Sequence, residues 1–238
     1  MSTNENAFAP PAHDERLQKR QQSAIARGME FVDPRSRAKA AVICLAVVVV
    51  ALLGDIAMVA FQIDLLRGFF TEEMAAINDQ RVQASTAIYA LAMLLSIIFF
   101  SRWLLVSNRN ARYIARRRNP GRRRERLQVV GGWTVGWYFI PIANLWKPYQ
   151  SMKEMCEVSR VPLGLVTVWW ILWILCNFIG RFSGRMYEEA ETVDALVLAS
   201  YVDIATSVLT LLAAVAAIVV VRRLTAAQVA EEPEDEAL

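Results

Sequence analysis

Four stretches of the chain are predominantly apolar for the length of a membrane-crossing helix, at about 39–66, 83–106, 162–180 and 198–221. The heart of the first, residues 41–63, reaches roughly 34 Å as a helix, enough to cross the hydrocarbon layer with some tilt. Asp33-Pro34 before it is a helix-start signal, and Trp103 near the end of the second reads as an interfacial anchor. The pattern therefore predicts an all-α membrane protein with four transmembrane helices.

Between the second and third spans the pattern changes character. Residues 107–126 read as an Arg-rich cytosolic loop, with Arg109, Arg112, Arg116, Arg117, Arg118, Arg122, Arg123, Arg124 and Arg126 and a turn at Asn119-Pro120-Gly121. Residues 127–146 are apolar but interrupted by Gly131, Gly132, Gly136, Pro141 and Asn144, and predict a Pro-broken, re-entrant or half-inserted aromatic segment. A fifth span over the same residues is the competing reading. Residues 147–160 predict an amphipathic interfacial helix with Tyr149, Met152, Met155, Cys156 and Ser159 on one face. A polar leader (1–38), a short polar loop (67–82), an acidic-leaning loop (181–197) and an acidic, disordered tail (224–238) complete the plan.

Charge orients it. With four spans and both termini inside, 22 Lys and Arg lie inside and 4 outside; with a fifth span at 127–146 the figures are 19 and 7. The positive-inside rule favours four spans, both termini cytoplasmic, in the inner or plasma membrane. Composition agrees: 55% of the 238 residues are hydrophobic and the mean hydropathy is +0.31, which excludes an ordinary soluble globule. The three cysteines are widely spaced, the one histidine (His13) lies in the leader, and no phosphate-binding loop, zinc-protease or nucleophile-elbow motif occurs. Glu188, Glu189 and Glu191 read as solvated loop charge. No enzyme activity, cofactor or metal site is expected.

The run W-T-V-G-W-Y-F-I-P-I-A-N-L-W-K-P-Y-Q-S-M-K-E-M over 133–155 resembles a bacterial family of small membrane proteins catalogued as domain of unknown function 4328. The shared core is Pro141, Ile142, Ala143, Asn144, Leu145, Trp146, Lys147, Pro148, Tyr149 and Gln150. Asn110-Ala111-Arg112 and the Trp-rich third span with Asn177 also resemble it, and the similarity covers about residues 80–223. The resemblance implies a membrane fold and location and supplies no catalytic roles to carry over.

Four features are candidates for function. Asp55, about fifteen residues into the first span and near or just outside the midplane, costs roughly 2.5–3.5 kcal/mol if charged at a helix centre, so it reads as a relay group or as polar glue between helices. Asp203, near the outer end of the fourth span, is within reach of pairing with Asn177, Arg181 or Arg185. The broken segment, with Trp133, Trp137, Pro141, Asn144, Trp146, Lys147, Pro148 and Tyr149, is either a ligand-facing half-helix or a rigid elbow. The arginines suit anionic lipid headgroups better than nucleic acid, since aromatics are not interleaved among them. Two functions remain: a scaffold or accessory protein contacting anionic lipid and a protein partner, or a small oligomeric transporter using Asp55 and residues 141–149.

Overall fold

The computed structural model describes residues 30–69, 71–118 and 131–232. It is built from α1 (Arg35–Arg67), α2 (Glu72–Arg118), the short α3 (Trp133–Gly136), two 3-10 turns (Trp137–Phe139 and Ala143–Leu145), α4 (Lys147–Val158), α5 (Leu163–Glu188) and α6 (Val193–Val229). Four of these, α1, α2, α5 and α6, are long and apolar enough to cross a membrane.

The long helices form an open arc in the order α2, α1, α6, α5, each packed chiefly on its neighbours in that order. The ends of the arc, α2 and α5, are bridged at one end of the bundle by α3, the turns and α4. That bridged end holds the main core: Trp103, Leu104, Met152, Met155, Val166, Val221 and Leu224 are all nearly or fully buried. Elsewhere large apolar side chains face outward, among them Val50, Leu53, Ile88 and Leu94. In water such a surface would be costly; in hydrocarbon it is what a spanning helix presents.

The helices run beyond the spans read from the sequence. Residues 107–118, expected as loop, continue α2, because Trp103, Leu104, Ser107, Asn108, Asn110, Ala111 and Ile114 form a buried stripe at helical spacing beneath the arginines. The polar loop at 67–82 shrinks to a few residues: Thr71 accepts a hydrogen bond from the Met74 N–H (3.3 Å), and Glu72 and Glu73 sit in the first turn of α2. Much of the acidic-leaning loop is also helical, since α5 extends to Glu188 and α6 begins at Val193 with Thr192 capping the Ala195 N–H (3.2 Å). Residues 224–229, assigned to the tail, belong to α6 and bury Leu224, Thr225 and Gln228. Trp103 is no interfacial anchor: it is fully buried, its indole N–H donating to Thr225 Oγ1 at 2.9 Å.

No helix of span length forms over residues 131–146. Proline cannot donate at position 141, and the Asn144 N–H closes a turn onto the Ile140 carbonyl at 2.8 Å. Pro148 occupies the first turn of α4, as its sequence position suggests. The helix ends at Val158; two residues on, Arg160 takes the left-handed region (φ 56), and the Val161 N–H returns to the Cys156 carbonyl at 2.8 Å.

Candidate functional site

Three polar regions are set into this frame. The first lies toward the end of the bundle opposite the bridge. Asp55 accepts hydrogen bonds from Ser85 on α2 (3.3 Å) and Ser207 on α6 (3.2 Å). Ser85 is one turn from Arg81, and 20 uncharged residues separate Arg81 from Arg102. Asp55 therefore sits near one end of the apolar stretch, not near its middle as its place along α1 suggests. One further layer out, Gln62 donates to Ser200 (3.1 Å), Asn78 donates to Gln62 (3.4 Å) and Tyr187 donates to Ser200 (3.2 Å).

Asp203 does not form the expected pair with Asn177, Arg181 or Arg185. It stands one turn before Ser207, whose hydroxyl donates to Asp55. The cause is helical phase. Cys176, Gly180 and Ser183 share the side of α5 turned to α6, where Gly180 approaches the Thr206 methyl at 3.6 Å. Asn177 and Arg181 fall on the flank turned to the broken segment. The Asn177 amide donates to the Trp173 carbonyl of its own helix at 2.7 Å.

The broken segment is the second region. The Trp133 and Trp137 rings meet at a tilt of 32° with centres 4.7 Å apart, and the Lys147 ammonium lies 5.9 Å from the Trp137 ring centre. Tyr138 meets Trp170 and Trp173 edge-on, and Trp170 stacks on Trp173 at 4.7 Å. The Trp170 indole donates to the Leu145 carbonyl (3.3 Å), so α5 satisfies a backbone acceptor that the break frees. Tyr149 stacks on Trp170, and its hydroxyl bonds Thr167 at 3.0 Å. Trp146 is half-exposed, while Pro148 is buried.

Two cavities adjoin this segment. One, of about 230 Å³, lies between the turns and α5 and is lined by Pro141, Asn144, Leu145, Asn177 and Arg181. The other, of about 330 Å³, lies between α2 and α5 and is mostly apolar. Tyr138, Phe139, Trp173 and Asn177 border both. The structure thus gathers Asn144 and Asn177, candidates 33 positions apart in the sequence, around one space, with Arg181 beside them.

The third region is the bridged end. Arg109, Arg112 and Arg116 share one side of α2 at spacings of three and four residues. Arg109 lies 3.6 Å from Glu30, whereas Arg112 is partly buried and has no carboxylate partner among the described residues. Burial first, then the neighbouring Arg116 and Arg109 charges, hold its pKa below the usual guanidinium value. Arg117 donates to the Glu231 carbonyl (3.2 Å), and Arg118 bonds both the Glu231 carboxylate and the Val158 carbonyl of α4 (2.6 Å). Arg35 pairs with Glu232 at 2.9 Å. Arg122, Arg123, Arg124 and Arg126 lie outside the described residues.

Sequence reading passed over the most specific contact at this end. Asn110, fully buried, accepts from the Val32 N–H (3.0 Å) and donates to the Val32 carbonyl (2.8 Å), clasping the chain ahead of α1. Gln228, also fully buried, donates to the Ser107 carbonyl at 2.9 Å. Asn110 stands seven positions after Trp103, on the same helical stripe; that spacing was the available signal, masked by the arginines around it. Among the described residues no group of three or more His, Cys, Asp or Glu is placed to hold a metal ion.

No curated protein and no solved structure matches the chain. One family does, over residues 67–226, from the end of α1 through the broken segment and nearly to the end of α6. That range holds the motif, the smaller cavity and all of the larger one's lining but Leu45 and Val48, and it leaves out Asp55. The chain belongs to the family described as Domain of unknown function (DUF4328), and its four apolar helices make it a multi-pass membrane protein.

Proposed function

We propose that the protein is a non-enzymatic membrane accessory protein that grips anionic lipid headgroups at its bridged, cytoplasmic end and presents that end to a protein partner. One observation carries the reading: Arg109, Arg112 and Arg116 line one side of α2 just past its apolar stretch, and the Arg112 cation is crowded by its neighbours with no carboxylate to offset it among the described residues. A phosphate would relieve that repulsion. In this reading residues 131–146 enter the membrane from the cytoplasmic side and return to it. Phe139 and Ile142, each 71% exposed, then meet lipid, and α4 lies at the interface with its polar side outward. Both termini are cytoplasmic.

A small transporter is the second reading, favoured by the Asp55–Asp203 pair. The packing speaks for the first: inward of Asp55 the interior is closed by Val48, Leu52 and Ala92, then by Leu45, Trp103 and Leu104. The polar layers do not continue through the bundle.

Native mass spectrometry of the protein in mixed phosphatidylglycerol–phosphatidylcholine discs tests the proposal. Enrichment of phosphatidylglycerol that falls in high salt and on substituting Arg109, Arg112 and Arg116 by Gln is expected. Equal retention of both lipids, with proton or cation flux in vesicles that Asp55→Asn abolishes, would replace it with the transport reading.

A further inference from the structure

The two cavities beside the broken segment share a wall and differ in chemistry. The larger is an apolar crevice walled by Leu45 and Val48 of α1, Ile97 and Phe100 of α2, and Ala213 and Ala217 of α6. It exists because the arc of helices is open. α2 and α5 meet at Phe100 and Trp169 (ring centres 6.0 Å apart), but each packs mainly on its other neighbour. The smaller cavity is polar. Asn144, Asn177 and Arg181 line it, and Arg181 has no carboxylate partner among the described residues.

Two buried polar atoms in this neighbourhood lack partners among the described residues. They are the Tyr138 hydroxyl, on a residue bordering both cavities, and Asn144 Oδ1, on a residue lining the polar one. Buried polar atoms are rarely left unsatisfied, and a cluster of them at a cavity calls for an occupant that supplies both a donor and an acceptor. Water can fill a polar space but gains nothing in an apolar one. An occupant of both must be polar and anionic at the Arg181 end and apolar along the crevice.

We propose that this paired cavity is a binding site for one anionic phospholipid. Its headgroup phosphate is held by Arg181 with Asn144 and Asn177, and one acyl chain lies in the crevice between α2 and α5. Guanidinium matches phosphate with two parallel hydrogen bonds, the amide N–H groups can donate to phosphate or ester oxygens, and Asn144 Oδ1 can accept from a glycerol hydroxyl. The site is remote from the arginines of the bridged end and does not depend on their role. It gives the broken segment a purpose: an unbroken helix would offer neither the Asn144 side chain at this place nor the gap it borders.

Photocrosslinking decides it. The full chain is placed in phosphatidylcholine discs containing a small fraction of phosphatidylglycerol with a photoactivatable acyl chain, and adducts are mapped by mass spectrometry. Adducts at Ile97 and Trp173 are expected, competed away by unlabelled phosphatidylglycerol and not by phosphatidylcholine. Arg181→Gln should lower their yield about tenfold at a fixed probe fraction, the scale of one lost charged contact, whereas Arg181→Lys retains most of it. Ala214→Leu, which fills the crevice, should abolish them; if that variant does not fold, the Arg181 pair decides alone. Adducts spread over lipid-facing Leu53, Ile88 and Leu94 without competition would overturn the proposal. So would crevice adducts that form equally from a phosphatidylcholine probe and ignore Arg181→Gln.

Discussion

At the scale of single residues, the side chains that fix this molecule are those whose polar atoms are spent inside it. Asn110 supplies both halves of a backbone-like pair to Val32, joining the middle of α2's extension to the entry of α1. Replacing it by Ala leaves a part-buried N–H and carbonyl unpaired, a loss of about 1–3 kcal/mol. The thermal midpoint should fall, and protease cleavage near Val32 should quicken. Cys156 makes a different test. Burial first, then the nearby Glu157 charge, push its thiol up to about 12 from an ordinary 9.0. The neutral form is the one the fold favours, so its contribution is whole below about pH 9. It falls between there and about pH 12, because the unfolded chain gives up the proton first, with a slope of at most about 1.4 kcal/mol per pH unit. Thermal scans at pH 8 and pH 10.5 should show a larger drop for the native chain than for Cys156→Ala.

At the scale of elements, the hydrophobic pattern carried the four long helices and their order along the chain, because mainly apolar runs of 19 residues or more admit little else. It also carried the break at Pro141, since glycine and proline act through the backbone they sit in. It misjudged the reach of the helices. Residues 107–118 read as loop because arginine density outweighed the stripe formed by Ser107, Asn108, Asn110, Ala111 and Ile114. That face, where Asn110 bonds Val32 and Ser107 bonds Gln228 of α6, uses small and amide residues, which score as polar in a hydropathy reading. Likewise the partners of Asp203 depend on the rotation of α5, which one-dimensional depth along the span does not encode. The extension of α2 is tied to two other elements by Arg118, through Val158 of α4 and Glu231 beyond α6. Exposed ion pairs add little by themselves, but one cation joining three elements orders all of them. Arg118→Ala should therefore speed hydrogen exchange over residues 226–232 and the last turn of α4. The middle of α1 should be unaffected.

At the scale of the whole molecule, the arrangement is asymmetric from end to end. One end is bridged, basic and closed by tryptophan and methionine. The other carries hydroxyl, amide and carboxylate groups between its helices. The arc is open along one side, where α2 and α5 diverge, and the broken segment fills only part of the opening. Such a body suits holding lipid and partners at its edges better than passing solute through its centre. Everything in that account depends on residues 131–146 entering and leaving on one side, which places α4 at the same membrane face as the arginines. In the structure α4 already lies beside Arg118. The most direct test is to introduce cysteines singly at Glu157, at Arg116 and at Glu191, in intact membrane vesicles of known orientation, and to label with a membrane-impermeant maleimide. The account expects Glu157→Cys and Arg116→Cys to label from the same side and Glu191→Cys from the other. Labelling of Arg116→Cys together with Glu191→Cys, with Glu157→Cys reached only from the other side, would mean that the segment crosses the membrane, and would contradict it.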